Sequence, residues 1–539
     1  MLRGYSHLKK TNQLDKIMEA QIALIREELK IPNSKISKNL FGASSPNANQ
    51  AIRDFLITRV GHYSLNKNLL ASLGKKNGKV VHPLPPQWRN LLRSMGWNVS
   101  EMGSAIFWQG YLFLCLGYGV LLGTQKFLLG ILSSFAPKRA KFEALVCFHG
   151  LTINEMPRRA EGDSYEVISW YLQWSGREKD ISAIGHNIKK FPEKKRGGLK
   201  ITYYDPVAPL HGIRPNLKFM AWGVWASFFC LFELIRGRWW SSLMLGPAIQ
   251  AYLARSQSSF AVDYLFSNSG PRKPLWAYEV EAKGGKTSLY FYSTNCDSFM
   301  TKAGYQPTPA YYRNMNWSRY LVWDQEQANF IRRCVKNQAQ IEIVGPVWSS
   351  DSTAILPDLS SRTVGLFDIQ PRRKSIYEAL GAPYEYYTPA LGVRFLKDIH
   401  EVAGEKDLVI AWKGKRKLPK GKIRQLAKFY ESACKKITDS QNILIIDPDI
   451  AASRLIKKCA LVISMPFTST ALIARKFGIP SYYYDPSGLI QKEDRAAHGI
   501  PILSGVNELR LIFAKESEKI KYEPAKFCAK TAEFACGNY

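Results

Sequence analysis

Three consecutive hydroxyl residues, Thr468, Ser469 and Thr470, come just after Met465, Pro466 and Phe467 and the apolar run Leu461–Ser464. The apolar run reads as a buried strand and the residues after Thr470 as a helix, so the hydroxyls fall at a helix start. Unpaired backbone N–H groups there attract an anion. Ser464, Thr468, Ser469 and Thr470 add hydroxyls beside them, and Pro466 sharpens the exit from the strand. A phosphate or diphosphate is the expected ligand, and plain helix capping is the other reading of the same residues. Lys413, Lys415 and Arg416 follow Leu408–Trp412 directly and offer cations to a phosphate or sugar carboxylate, or else form a solvated charged turn. Asp368 and Asp485 lie at the ends of two more apolar runs, where they line a nucleoside or simply cap turns. For a general base, Glu279 and Glu281 stand in residues 276–285, read as an extended segment ending in a glycine turn. On a strand the two carboxylates share a face, one as base and one structural; two surface glutamates on a hairpin are the alternative. His149 and His186, each after an apolar run, are the histidines to watch, and the eight histidines have no metal-ligand spacing.

These groups need a scaffold, and residues 363–515 supply a regular one. Val364–Ile369, Leu408–Trp412, Ile443–Ile446, Leu461–Ser464 and Ser481–Tyr484 read as strands, with helices Leu391–Ala403, Lys422–Lys436, Ala451–Cys459 and Thr470–Phe477 between them. Such βα repetition predicts a doubly wound parallel sheet, with ligands beyond the carboxyl ends of its strands. Residues 141–350 form a first α/β domain from Ala144–Phe148, Ile181–Ile184, Leu199–Tyr204, Ser288–Tyr292 and Ile341–Val344, its loops facing the second domain across a cleft. Residues 1–100 read as a basic helical appendage, 101–140 as an apolar membrane-associating segment, 218–252 as an apolar insert, and 516–539 as a tail.

From Met102 to Gln125 no residue is charged, close to the ~20 apolar positions of a spanning helix. Five glycines and Gln109 weaken a helix there. Cations lie on both flanks (Arg89 and Arg93; Lys138, Arg139 and Lys141), which favours a hairpin-like or in-plane insertion over a span, with a buried core helix as the other reading. Phe219–Phe232 is too short to cross, but Trp222, Trp225, Trp239 and Trp240 beside Arg236 and Arg238 have interfacial character. A formal net charge of +31 over 539 residues calls for an anionic partner; a lipid surface is favoured over nucleic acid, since no nucleic-acid module is present. Nine scattered cysteines without paired spacing read as reduced core residues, in neither a zinc site nor a disulfide framework. The charged, amphipathic first 40 residues predict no cleavable secretory signal.

Pro466–Ser469 spells PFTS, and the blocks Cys459–Pro486, Pro274–Asn295 and Ile341–Trp348 resemble those of bacterial polysaccharide biosynthesis proteins characterised by that motif, across residues 260–510. The resemblance implies surface polysaccharide synthesis. More distantly, the chain resembles two-domain GT-B transferases that use CMP-activated acidic sugars. In those, a Ser/Thr pair at a helix start, similar to Thr468 with Ser469, holds the CMP phosphate, and an acidic residue before glycine, similar to Glu281, is the base. Their His-Pro motif is missing, and Ala411–Arg416 lies where it is expected. The expected fold is α/β, two Rossmann-like domains facing a cleft (GT-B-like) with an N-terminal helical, partly apolar appendage. The expected activity is metal-independent, cofactor-free glycosyl transfer from a nucleotide-sugar donor to a glycan or lipid-linked glycan. Ser464, Pro466, Thr468, Ser469, Thr470, Lys413, Lys415, Arg416, Asp368 and Asp485 would bind the donor, and Glu281 with Glu279 would catalyse. The expected partners are donor, acceptor and an anionic membrane surface, with no nucleic acid, and the expected location is the cytoplasmic face of the inner membrane, peripheral or monotopic. A non-catalytic, membrane-associated polysaccharide assembly or glycan-binding component is the alternative.

Overall fold

A strand buried on both faces needs apolar residues at nearly every position, and the short Val-, Ile- and Leu-rich runs of this chain meet that need. The structure, a computed structural model, describes residues 79–135 and most of 146–519. Of the first 78 residues it describes chiefly 48–60, and 152–166, 370–386, 415–427 and 520–539 are the longest later stretches it leaves out. In the first domain β1 (Val146–His149), β2 (Ala183–His186), β3 (Lys194–Arg196), β4 (Leu199–Tyr203), β5 (Asp263–Ser267), β6 (Lys286–Tyr290), β7 (Arg319–Val322) and β8 (Gln340–Ile343) form one sheet. Their order is β8-β7-β6-β5-β1-β2-β4-β3, and β3 is antiparallel to β4 while the other pairs are parallel. The chain winds outward from β1 to β4, then returns to β5 on the other side of β1. The strand order therefore reverses between β1 and β5.

In the second domain β9 (Thr363–Phe367), β10 (Val409–Lys413), β11 (Ile443–Ile445), β12 (Leu461–Ser464), β13 (Ser481–Asp485) and β14 (Ile502–Ser504) form an all-parallel sheet in the order β11-β10-β9-β12-β13-β14. Here the reversal lies between β9 and β12. Phe367 is in register with Ser464 on one side and Lys413 on the other, so these residues share one edge of the sheet. Two Rossmann-like domains are thus present, and the strands expected from sequence lie within two residues of those observed. The structure adds two edge strands, β3 and β14, and two inner strands, β5 and β7, which begin with the charged residues Asp263 and Arg319. Arg319 Nη2 lies 3.4 Å from Asp263 Oδ1, the Tyr171 hydroxyl donates to Asp263 at 2.8 Å, and Arg319 Nε donates to Ser288 at 2.7 Å. This pairing lets two charges enter the sheet.

Helices α1 (Glu101–Ser134), α2 (Ile213–Ile235) and α3 (Trp240–Ser256) pack together, and α3 rests on α4 (Leu275–Glu281). α1 runs unbroken for 34 residues despite its glycines. A Cβ at Gly119 would lie 2.8 Å from Leu245 Cγ, and one at Gly123 would lie 3.2 Å from Ile249 Cδ1. Those two glycines permit the close approach of α3 to α1. The three helices, together with Trp88, Leu92 and Ile52 from the N-terminal part, form a second hydrophobic core beside the one shared by the two sheets. The appendage, the apolar segment and the insert, read separately in the sequence, meet in that core.

The extended reading of residues 276–285 is corrected: Leu275–Glu281 is helical. Parallel β5 and β6 need a crossover on one face of the sheet, and this helix is part of it. Gly284, at φ 87°, turns the chain into β6.

Candidate functional site

The loop after β12 is held from several sides. Phe467 has a φ of 62°, uncommon for a residue with a side chain, and its buried ring stacks 5.2 Å from Phe299 of the first domain. Tyr387 Oη donates to the Pro466 carbonyl at 3.0 Å, and Tyr483 Oη donates to the Thr468 carbonyl at 2.8 Å. Helix α5 (Ser469–Lys476) begins here, and its N-cap Thr468 makes no side-chain capping bond. Thr468 Oγ1 instead donates to the Met465 carbonyl at 2.8 Å and lies 3.2 Å from Thr470 Oγ1, which is 2.9 Å from Ser464 Oγ. Ser469 Oγ accepts from the Thr294 N–H at 3.3 Å. The hydroxyls knit the loop, and the first-turn N–H groups of α5 are left without the usual cap.

Asp368 follows β9 beside this loop and is buried. Its Oδ2 accepts from Tyr430 Oη at 2.6 Å, and the Trp412 side chain also hydrogen-bonds the carboxylate. Burial raises its pKa, partly offset by the Tyr430 hydroxyl. Lys413, at the end of β10, donates to the Pro448 carbonyl at 3.0 Å, and burial lowers its pKa against the pull of Asp447, Asp449 and Asp368. The fold thus brings the Ser464–Thr470 loop, Asp368 and Lys413 to the carboxyl ends of adjacent strands. Asp485 is committed elsewhere, since its Oδ1 accepts from the Ser487 N–H at 2.8 Å and its Oδ2 from the Ile490 N–H at 2.8 Å. Its carboxylate closes its own loop, which corrects the ligand-lining expectation. Lys415 and Arg416 lie outside the described residues.

The placement of Glu281 and Glu279 also corrects the sequence reading. Glu281 accepts from Lys273 Nζ at 2.6 Å, from the Thr287 hydroxyl, and from Ser318 Oγ at 3.0 Å. Thr287 lies near the start of β6 and Ser318 just precedes β7, so Glu281 sits at the amino ends of the strands. Glu279 is buried, 3.8 Å from Arg255, and burial raises its pKa against Arg255 and Lys283. Both glutamates anchor α4. A helical crossover delivers its last turn to the amino end of the next parallel strand, away from the cleft.

At the first domain's reversal, His149 ends β1 and is followed by Gly150 at φ 81°. Its ring stacks 4.9 Å from Phe266 and lies 5.1 Å from Trp276, with Nε2 3.4 Å from Cys147 Sγ. Burial lowers its pKa to about 4, opposed by Asp205, so the imidazole is neutral near pH 7. Asp205 in turn is 3.4 Å from Lys126 Nζ of α1, which also donates to the Val207 carbonyl at 2.6 Å. His186, at the end of β2, is likewise lowered to about 4 by burial and accepts from the Ile188 N–H at 3.2 Å. Sequence reasoning noted His149 without giving it a role; its signal was a histidine between an apolar run and a glycine.

The sheets meet carboxyl end to carboxyl end. Besides the Thr294–Ser469 bond and the Phe299–Phe467 stack, Asp494 accepts from the Met300 N–H at 2.7 Å, and Arg495 Nε lies 3.0 Å from Asp297. His498 Nδ1 is 2.8 Å and 2.9 Å from the two oxygens of Asp324, which also faces Arg475 at 3.7 Å. Burial alone would raise the Asp324 pKa, but the His498 hydrogen bond and charge, the Gln327 N–H and Arg475 outweigh it and hold it below the ordinary value. Among the described residues no group of three His, Cys, Asp or Glu side chains is placed to hold a metal ion.

Solved structures similar to this chain include the trehalose-6-phosphate synthase OtsA, 8% identical with a TM-score of 0.36, covering 70% of this chain and 92% of that one. The UDP-GlcNAc 2-epimerase from Methanocaldococcus jannaschii is 9% identical with a TM-score of 0.32, covering 71% and 94%. A ugt transferase from Siraitia grosvenorii in complex with UDP is 10% identical with a TM-score of 0.33, covering 69% and 94%. All three scores are low, and the fold is read from the strand order itself. No curated protein matches the sequence. The profile of the polysaccharide biosynthesis PFTS motif proteins matches residues 223–513, more than half of the 539 and inclusive of the whole second sheet with its Pro466–Ser469 loop, and the chain belongs to that family.

Proposed function

We propose that this chain is a glycosyltransferase that moves a sugar from a nucleotide-activated donor, held on the second domain, to a glycan acceptor held on the first. One observation carries the reading: the points of strand-order reversal in the two sheets lie at carboxyl ends that meet along a single seam. In an open parallel sheet that reversal opens the crevice in which a ligand sits. The acceptor hydroxyl oxygen attacks the anomeric carbon as the bond from that carbon to the donor phosphate oxygen breaks. The hydroxyl proton passes to His149, which replaces Glu281 as the base in this reading because its neutral imidazole is the form that accepts a proton. The charge that leaves on the phosphate meets the first-turn N–H groups of α5, with Lys413 nearby.

The resemblance to PFTS proteins supports a surface polysaccharide as product, the more distant resemblance to CMP-sugar transferases supports a CMP-linked acidic sugar as donor, and the apolar segments with the +31 net charge support a lipid-linked glycan acceptor at the cytoplasmic face of the inner membrane. The test is thermal stabilisation by CMP, UDP and GDP, followed by donor hydrolysis and transfer with a panel of nucleotide sugars. One nucleotide should raise the melting temperature, and His149→Ala should keep that rise while losing turnover. No stabilisation and no turnover would favour a non-catalytic glycan-binding component, for which the internally bonded loop hydroxyls speak.

A further inference from the structure

Helices α1 and α2 each bury one stripe and leave the opposite one bare. On α1 the buried stripe runs through Trp108, Leu112, Leu116 and Gly119, toward α3. The opposite line, Phe107, Leu114, Leu121, Leu128 and Phe135, repeats every seven residues, and its members are 59%, 74%, 70%, 55% and 76% exposed. Seven residues are close to two helical turns, so these side chains form a ridge along the helix. On α2 the exposed line is Leu217, Val224, Phe228 and Ile235. A water-facing helix surface carries polar residues, and two packed helices that each leave an apolar line bare mark a binding surface.

We infer that this face is seated in one leaflet of an anionic lipid bilayer, with α1 and α2 lying in the membrane plane and not crossing it. Three features select lipid as the occupant. Exposed cations stand at both ends of α2, Arg214 and Lys218 at its start and Arg236 and Arg238 at its end, as expected where both ends lie at headgroup level. The Arg236 guanidinium lies 4.3 Å from the centre of the Phe232 ring, so an apolar ring and its cation are already stacked at the rim. Trp225, nearly half exposed on α2, suits the same interface. The in-plane orientation follows from packing. α3 packs on both helices and itself rests on α4 of the first domain, so protein covers one side of the pair where α3 lies. At 34 residues α1 is about 51 Å long, well beyond a hydrocarbon core of ~30 Å.

The test uses the purified full-length chain in co-sedimentation with vesicles of phosphatidylcholine alone or mixed with phosphatidylglycerol. The chain should bind the mixed vesicles more tightly and stay partly bound at high salt, because apolar burial does not screen. Leu114→Asp with Leu121→Asp should lower partitioning at least about tenfold, while Leu114→Ile with Leu121→Ile keeps it. Circular dichroism and the thermal midpoint check that each variant is folded. Brominated lipids give the depth: the part of the quenching lost in Trp225→Phe should be greatest for bromines near the headgroup. Stronger quenching by bromines at the bilayer centre would overturn the in-plane seat. Absence of vesicle binding, with dimers seen by analytical ultracentrifugation, would assign the face to a second copy and overturn the proposal. Neither result depends on glycosyl transfer.

Discussion

Glu281→Gln separates stability from chemistry at the residue where sequence pattern and fold disagree most. Lys273, its partner, has a side chain only 4% exposed, while that of Glu281 is 24% exposed, and their charged atoms are 2.6 Å apart. Breaking a fully buried pair costs about 3–5 kcal/mol. Glutamine keeps an amide oxygen for Lys273, Thr287 or Ser318, and Glu281 is partly solvated, which together reduce the expected cost to about 1–2 kcal/mol. For a domain of this size each kcal/mol lowers the melting temperature by roughly 2–4 °C, so the variant should melt about 2–8 °C below the parent. Below that midpoint, turnover of a nucleotide sugar should change by no more than about twofold, since Glu281 lies at the strand ends away from the seam. His149→Ala should lower kcat by about 10²–10⁴, measured below its own melting midpoint, which will fall because the ring packs on Phe266 and Trp276. With His149 titrating at about 4, the acid limb of kcat/KM should fall near that value, not near the ordinary histidine value of 6.5. A Glu281→Gln protein that melts like the parent and loses turnover more than about tenfold would refute this assignment of roles.

Other perturbations test the seam and the helical layer. Asp324 has a depressed carboxylate pKa in the folded chain, so its contribution to stability is present above the unfolded value and is lost as pH falls through the folded one. Melting curves against pH should show that loss, and Asp324→Asn should flatten it while lowering stability at neutral pH. Phe299→Ala and Phe467→Ala should couple by about 0.5–1.5 kcal/mol in a double-mutant cycle read by urea unfolding, because their rings stack across the seam. Additive effects would show that the stack contributes nothing. Gly119→Ala should destabilise by about 1–3 kcal/mol, as its Cβ would meet Leu245, whereas Gly117→Ala, with open space around it, should be neutral or stabilising by up to about 1 kcal/mol. Equal effects in thermal melts would contradict the packing of α1 on α3.

The second domain was legible because its signals are local. Each apolar run is short, each is followed by a helical pattern, and the Leu461–Ser464 strand lies where the sequence placed it. The loop after it has a composition that only a strand-to-helix transition explains. The first domain was legible in outline, but β5 and β7 begin with Asp263 and Arg319, and a charge in a strand looks like a loop until its distant partner is known. The helix at Leu275–Glu281 was misread for a related reason. Seven residues hold too little periodicity to separate helix from strand, and the deciding constraint is the crossover between two parallel strands. The glycines of α1 read as helix breakers, yet Gly119 and Gly123 are where another helix approaches.

By itself, then, the sequence determined the α/β class, the PFTS loop at a helix start and the apolar character of residues 102–135, because these follow from residue type and near-neighbour spacing. Only the tertiary structure decided which carboxylates reach the seam, because that depends on which end of a parallel strand each crossover delivers. It moved Glu281 to the amino ends, tied Asp485 to its own loop, and brought His149 and Asp368 to the two reversals in strand order. It also decided which face of each apolar helix stays bare, since burial on one side requires α3, more than a hundred residues away from α1 in sequence.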